Sequence, residues 1–344
     1  MLRMPQVIFR NKFLLPSLPP PTCKKVLITG ASGGLGLAAA VHYINLGASL
    51  VIITARDASK GEAAIASIEA QTGTVWKGIV KLMLLDMSAF ASTKCFADKL
   101  KSEIQEIDIV LLNAGALNTS FNLRSEGYEE TIQVTVLSTA LLALLLLPWV
   151  KVAGKGKAHL GFVTSGTHRR AAIDTWPKDN VLQWLSKEEN WPCSMYATAK
   201  LLEQYVANEI AKLAVNPFGV PEVIVNSMCP GMVKSDLGRA YKKNYLLSLG
   251  VDIFSNLAMK TTEGGARTLV LATMTTPDEN GKYYTNYQSD EDYKLAVQHN
   301  ILGPEGQEMQ AEVWKEVLAI LEEQVPDARE ILHRAMAQYP LMRL

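Results

Sequence analysis

The chain has 344 residues, with 34 lysines and arginines against 34 aspartates and glutamates. That length suits one large α/β domain or two small ones, and the balanced charge, without any lysine- or arginine-rich run, argues against nucleic acid or an anionic membrane surface as the main partner. Four cysteines (Cys23, Cys95, Cys193, Cys229) stand far apart with no CxxC and no Cys/His pair at zinc spacing, so they read as small buried hydrophobes in a reducing compartment, and no metal site is assigned.

Residues 1–22 end in LPSLPPPT, an arm whose prolines cannot continue a helix or enter a central strand. The stretch before Pro16 lacks the apolar core of a signal peptide, so the expected location is cytoplasmic. From Cys23 a regular alternation sets in. KKVLITG is a short apolar run into glycine, LGLAAAVHYINLG has helical spacing closed by Gly47, and ASLVIIT is a second apolar run. The helical SKGEAAIASIEAQTG, the strand-like VKLMLLD, the helical ASTKCFADKLKSEI and the strand-like IDIVLLNAG follow. VLSTALLALLLLPWV (136–150) is shorter than the roughly 20 residues of a membrane span, contains Ser138 and Thr139, and is closed by Pro148, so it reads as a buried helix and not an integral membrane segment.

KAHLGFVTS returns to a strand, YATAKLLEQYVANEIAKLA is helical, and EVIVNSMCPG is a sixth strand, with GKYYTN (281–286) a candidate seventh. Residues 166–195, rich in tryptophan, proline and charge, read as a binding loop inserted before the helix that holds Tyr196. A helical tail is expected over roughly 304–338. Short apolar runs alternating with amphipathic helices predict βαβ units around a parallel sheet buried on both faces: one doubly wound, three-layer α/β domain over 23–344.

The first βα turn reads TGASGGLG. Gly30, Gly34 and Gly36 stand where only glycine lets the backbone turn tightly and approach a phosphate, with the N–H groups of the helix start, Leu35 among them, facing the anion. This is the signature of a Rossmann-type dinucleotide site. The Tyr196–Lys200 pair raises a second question, since side chains four apart on a helix share a face.

The spacing G-x-x-x-G-x-G, followed in order by NAG (113–115), Ser165 at a strand end, YATAK (196–200) and PGMVKSDL (230–237), resembles the short-chain dehydrogenase/reductase family over most of the chain. The F…LPPPT arm and the ITARDASKGE turn are similar to retinol-dehydrogenase-like enzymes and to reductases of fungal secondary-metabolite pathways. The resemblance implies that Tyr196 passes a proton to or from the substrate oxygen while hydride moves at a nicotinamide. Lys200 would hydrogen-bond the ribose, and Ser165 would hold the carbonyl oxygen. A phenol's ordinary pKa is about 10, and an ammonium one turn away, together with an oxidised nicotinamide's charge, is expected to lower it toward working pH.

Further residues follow from the same resemblance. Ser32 joins the glycine turn, Asp86 would contact the adenine, Asn113, Ala114 and Gly115 would form the floor, and Pro230, Gly231 and Val233 would cover the nicotinamide amide. Arg56 stands about 20 residues beyond Gly36, where a guanidinium suits a ribose 2′-phosphate and Lys60 adds charge; Asp57, its rival, sits where a helix N-cap belongs. The expected coenzyme is NADP(H). One departure stands out: Thr135 occupies the place of the family's asparagine, which helps position a water linking Lys200 to solvent. Either its hydroxyl holds that water, or the scaffold performs a non-redox step such as dehydration or pericyclic closure. Retention of Ser165, Tyr196 and Lys200 favours the first.

The pocket for an apolar substrate is expected from Thr167–His168, the 171–195 insertion and residues 234–254. Trp176, Trp184 and Trp191 are either lid aromatics or packing for the insertion, and His168 is read as structural or solvent-facing. The surplus aliphatic surface of 136–147 suggests a homodimer interface. Together these readings point to an NADP(H)-dependent ketoreductase, with the non-redox scaffold and a coenzyme-sensing regulator as rivals.

Overall fold

A computed structural model describes residues 4–20, 22–234 and 258–325. Strands form where β-branched, leucine and aromatic residues run together: β1 (Lys25–Ile28), β2 (Leu50–Ala55), β3 (Val80–Leu84), β4 (Ile109–Leu112), β5 (Ala158–Val163), β6 (Val223–Met228) and β7 (Tyr283–Tyr284). All pair in parallel, in the order β3-β2-β1-β4-β5-β6-β7. The candidate seventh strand is thus real, though only two residues long.

Alternation along each strand sends side chains to opposite faces, and both faces are apolar. On β1, Val26 and Ile28 join one buried layer with Ala39 and Tyr43 of α2 (Gly34–Asn45) and Leu269 of α8 (Thr262–Ala272). Leu27 joins the other, with residues of α4 (Phe90–Glu103), α5 (Glu130–Ala153) and α7 (Met195–Leu213). The remaining α-helices among the described residues are α1 (Met4–Phe13), α3 (Ala58–Thr72), α6 (Val181–Leu185), α9 (Asp290–Ala296) and α10 (Pro304–Gln324). The expected tail beyond Val325, and residues 235–254 of the expected pocket, lie outside the described residues.

Pro148 does not close the apolar helix as expected; α5 runs on to Ala153. A proline removes one helical N–H, and so near the C-terminus burial of Val150 and Ala153 keeps the last turns in place. Among the described residues α5 is the one helix long and apolar enough to cross a membrane, and 78% of its most apolar window is buried inside the chain. Leu141 to Leu147 are all buried against the sheet and neighbouring helices. The aliphatic surplus that suggested a dimer is therefore covered within the chain. Near its start the helix widens into a π-turn, Gln133–Leu137, which carries Thr135.

The 166–195 connection is structured. It forms short 3₁₀ turns and α6, whose first N–H groups are capped by Glu316 of α10: its carboxylate accepts from Leu182 N and Gln183 N. Trp176, Trp184 and Trp191 are partly buried against the main core, which favours packing over a lid.

Candidate active site

The strand order reverses between β1 and β4, and the crevice beyond their C-terminal ends is the ligand position of an open α/β sheet. The glycine turn follows β1 there. Gly30 has φ +64 and Gly34 φ +57, the left-handed region that favours glycine. A Cβ on Gly30 would stand 2.9 Å from Ala114 Cα, and one on Gly36 would stand 2.7 Å from Asn113 Nδ2 and 2.8 Å from Gly30 O.

The segment after β4 locks this turn. Asn113 Nδ2 donates to Thr29 O (2.9 Å) and Gly30 O (3.1 Å), while Asn113 N and Ala114 N both donate to the Thr29 hydroxyl at 2.9 and 3.0 Å. Gly265 of α8 admits two further residues of the set: its missing Cβ would meet Val233 Cγ2 at 2.6 Å and Leu35 Cδ2 at 2.9 Å. The turn, the floor and the segment after β6 therefore meet around one crevice. Pro230 is buried, Gly231 takes φ +81, and Ser32 is exposed at the mouth.

The end of β2 presents Arg56, exposed, with Lys60 exposed on the first turn of α3. Asp57 is the N-cap of that helix, its carboxylate accepting from Lys60 N at 2.9 Å, as the sequence suggested. After β3, Asp86 accepts from Ser88 N (2.9 Å) and Ser88 Oγ (2.7 Å). Partial burial raises its carboxyl, but those hydrogen bonds, with Arg56 and Arg124, outweigh this and hold it below the ordinary carboxylate range.

On the substrate side α7 brings Tyr196 and Lys200 onto one face, with Nζ 5.9 Å from the phenol ring's centre. Ser165, two residues past β5, lies beside the phenol and accepts from the Thr167 hydroxyl at 3.0 Å. Lys200 Nζ donates to Val163 O at 2.7 Å and to Glu203 Oε2 at 2.8 Å. Gly115 lies against it, since a Cβ there would be 3.4 Å from Nζ and 3.7 Å from Thr135 Oγ1. Thr135 is fully buried, and its hydroxyl oxygen accepts from Ala116 N at 3.2 Å.

The electrostatics modify one expectation. Burial pushes the Tyr196 phenol above its ordinary value by more than the Lys200 ammonium and Ser165 pull it down. Lysine alone does not bring this phenol below its ordinary value in the free protein. Burial also lowers Lys200, but the Glu203 carboxylate and the phenol outweigh this and hold it up. His168 is buried and structural, edge-on to the stacked rings of Tyr283 and Tyr293, so its solvent-facing alternative is excluded.

Three residues escaped the sequence reading. Glu203, fully buried, is the partner of Lys200; an acid at K-x-x-E within the apolar face of α7 was the available signal. Lys260, beside Val233, is buried and held by Asn286, its pKa lowered by burial to about 8. Asn11 of α1 donates to Met232 O (3.0 Å) and Ala258 O (3.3 Å) and accepts from Met232 N (3.0 Å). No local pattern announces a contact between positions so far apart in sequence.

A parallel, doubly wound sheet with a glycine-lined crevice at its switch point defines a dinucleotide-binding α/β protein. Residues 24–172 match the family described as short chain dehydrogenase. The short-chain dehydrogenase/reductase ffsI of Aspergillus flavipes is 34% identical over 316 residues, covering 90% of this chain and 89% of that protein. The short-chain dehydrogenase/reductase phmF of Phaeosphaeria nodorum is likewise 34% identical over 316 residues, with 90% of each chain covered. A Shigella flexneri short-chain dehydrogenase solved with NADP shares the fold at TM-score 0.54 and 21% identity, covering 78% of this chain and 98% of that one. The chain belongs to the short-chain dehydrogenase/reductase family and is an oxidoreductase of the nicotinamide-coenzyme class.

Proposed function

We propose that the protein is an NADP(H)-dependent ketoreductase, interconverting a ketone and a secondary alcohol on an apolar small molecule in secondary-metabolite, polyketide-type biosynthesis. The observation that carries this reading is the convergence of Ser165, Tyr196 and Lys200 beside the Gly115 floor, at the end of the crevice opposite Arg56. In support of a dinucleotide site, the missing Cβ atoms of Gly30 and Gly36 let the turn pack directly on Ala114 and Asn113 at the start of α2, where an anion is favoured.

When bound, the coenzyme supplies or takes up the hydride. The chain's own residues manage the oxygen. Tyr196 gives its hydroxyl proton to the substrate oxygen during reduction and takes it back during oxidation. Ser165 donates a hydrogen bond to that oxygen and stabilises the charge that develops on it. Lys200, fixed by Val163 O and Glu203, places a positive charge beside the phenol that favours its ionised form. Asp57 is engaged as the cap of α3, Arg56 is exposed at the end of β2 where a 2′-phosphate would lie, and Lys60 adds to the positive field.

The test follows NADPH absorbance against a panel of apolar ketones. Turnover that Tyr196→Phe abolishes supports the reading. Product formation without coenzyme consumption would transfer the assignment to the non-redox scaffold that Thr135 suggests. NADPH and NADH fluorescence titrations test the coenzyme choice: Arg56→Ala is expected to weaken NADPH about tenfold, the loss of one charge-assisted hydrogen bond, and to leave NADH unchanged. A cytoplasmic location and a homodimer belong to the same reading, the latter tested by light scattering.

A further inference from the structure

Helix α7 carries Tyr196, Lys200 and Glu203 at positions i, i+4 and i+7, one continuous stripe. Glu203 is fully buried; one carboxylate oxygen accepts from Lys200 Nζ at 2.8 Å, and the other has no hydrogen-bond partner. Stability does not account for it. An apolar residue of similar volume in place of a buried ion pair is often neutral or stabilising, and Leu201, Leu202 and Val206 show that this helix is otherwise buried through aliphatic side chains.

The geometry gives the carboxylate a different task. Lys200 has three N–H groups; one goes to Val163 O and one to Glu203, which leaves a third for the side of Gly115. On α5 the family's side-chain amide is absent, and the Thr135 oxygen that replaces it accepts from Ala116 N instead. Glu203 thus supplies a fixed anionic partner for the ammonium from the catalytic helix itself.

We propose that Glu203 is a positioning residue: its carboxylate fixes the Lys200 side chain and offsets part of its charge, and so sets how strongly the ammonium acts on the Tyr196 phenol. The proposal rests on the roles given above to Tyr196 and Lys200. The groups that bear on the phenol are Lys200 and Glu203 from α7, Cys229 from the end of β6 and the Ser165 hydroxyl from the end of β5. Lys200 is the charge that bears on Glu203. While Lys200 stays protonated, held by Val163 O and favoured by the phenolate itself, neutralising Glu203 removes one influence that raises the phenol and leaves the ammonium uncompensated, so the phenol becomes more acidic.

The test reads Tyr196 directly. Protein labelled with [13Cζ]tyrosine is titrated by NMR, free and saturated with NADP⁺, and the Tyr196 resonance is identified by its loss in Tyr196→Phe. Glu203→Gln is expected to lower the midpoint by about half a unit or more, roughly a threefold change in proton affinity. Glu203→Asp, which keeps the charge, is expected to stay close to the parent protein. A folded Glu203→Gln with an unshifted midpoint overturns the proposal. Should that variant not fold, Glu203→Met, an apolar replacement of similar volume, is titrated in its place with Lys200 kept; the same lowering is expected, and an unshifted midpoint overturns the proposal. A Tyr196 resonance indifferent to NADP⁺ in the parent protein would count against the coenzyme reading instead, because the Glu203 comparison is made in the free protein as well.

Discussion

His168 offers a stability measurement whose sign and size follow from its surroundings. It sits in the 3₁₀ turn Gly166–Arg170, fully buried, with its ring 5.3 Å from Tyr283 and 5.7 Å from Tyr293, both edge-on. Neither ring nitrogen has a hydrogen-bond partner. Burial first, and the Arg169 guanidinium second, lower its pKa from 6.5 to about 3. The unfolded chain therefore takes up a proton near pH 6.5 that the folded chain refuses until about pH 3, and stability is lost as pH falls through that window. At about 1.4 kcal/mol per pH unit, the step from pH 6.5 down to about 5 removes roughly 2 kcal/mol.

Replacing the ring by His168→Phe removes the titration while keeping an aromatic side chain. Urea unfolding of both proteins at several pH values then isolates the effect as a difference in slope. Any packing change is the same at every pH. The carboxyls of the buried Glu129 and Glu203 and the partly buried Glu126 and Glu316, raised by burial, act in the opposite direction and are common to both proteins. The variant is expected to lose about 2 kcal/mol less than the parent over this interval. Parallel curves would refute the reasoning and show that the buried ring is protonated or solvated in the folded state.

At Gly36 a methyl group would meet three atoms within 2.8 Å, two of them backbone. The clash, about 1–3 kcal/mol, exceeds the roughly 1 kcal/mol that alanine gains in a helix, so Gly36→Ala is expected to lower the melting temperature by a few degrees and NADPH affinity more than tenfold, read by thermal scans and fluorescence. Asn11→Ala breaks three hydrogen bonds to Met232 and Ala258. NADPH binding should weaken several-fold, and an unchanged titration would limit α1 to packing. Thr135→Val leaves Ala116 N without its acceptor, a loss of about 1–3 kcal/mol in a denaturant titration; full retention of stability would show that water replaces the hydroxyl.

The fold was legible because local pattern and global arrangement agree. KVLI and IVLL are apolar at every position, as strands covered on both faces must be, and the TGASGGLG turn marks the switch point beside β1. The stop at Pro148 was misread because the local rule for proline yields here to the burial of the residues beyond it. The three tryptophans could not be placed from sequence, since lid and packing call for the same residue type.

Sequence alone determined what depends on residue type and short spacing: glycines for a tight turn, a phenol and an ammonium one helical turn apart, and a cap at Asp57. Tertiary structure decided what depends on burial and long-range contact. Whether a neighbouring charge acidifies the phenol, whether Lys200 has an anionic partner, and whether an N-terminal arm reaches the segment after Pro230 are set by how much water the fold excludes and which distant backbone atoms it brings within hydrogen-bonding distance.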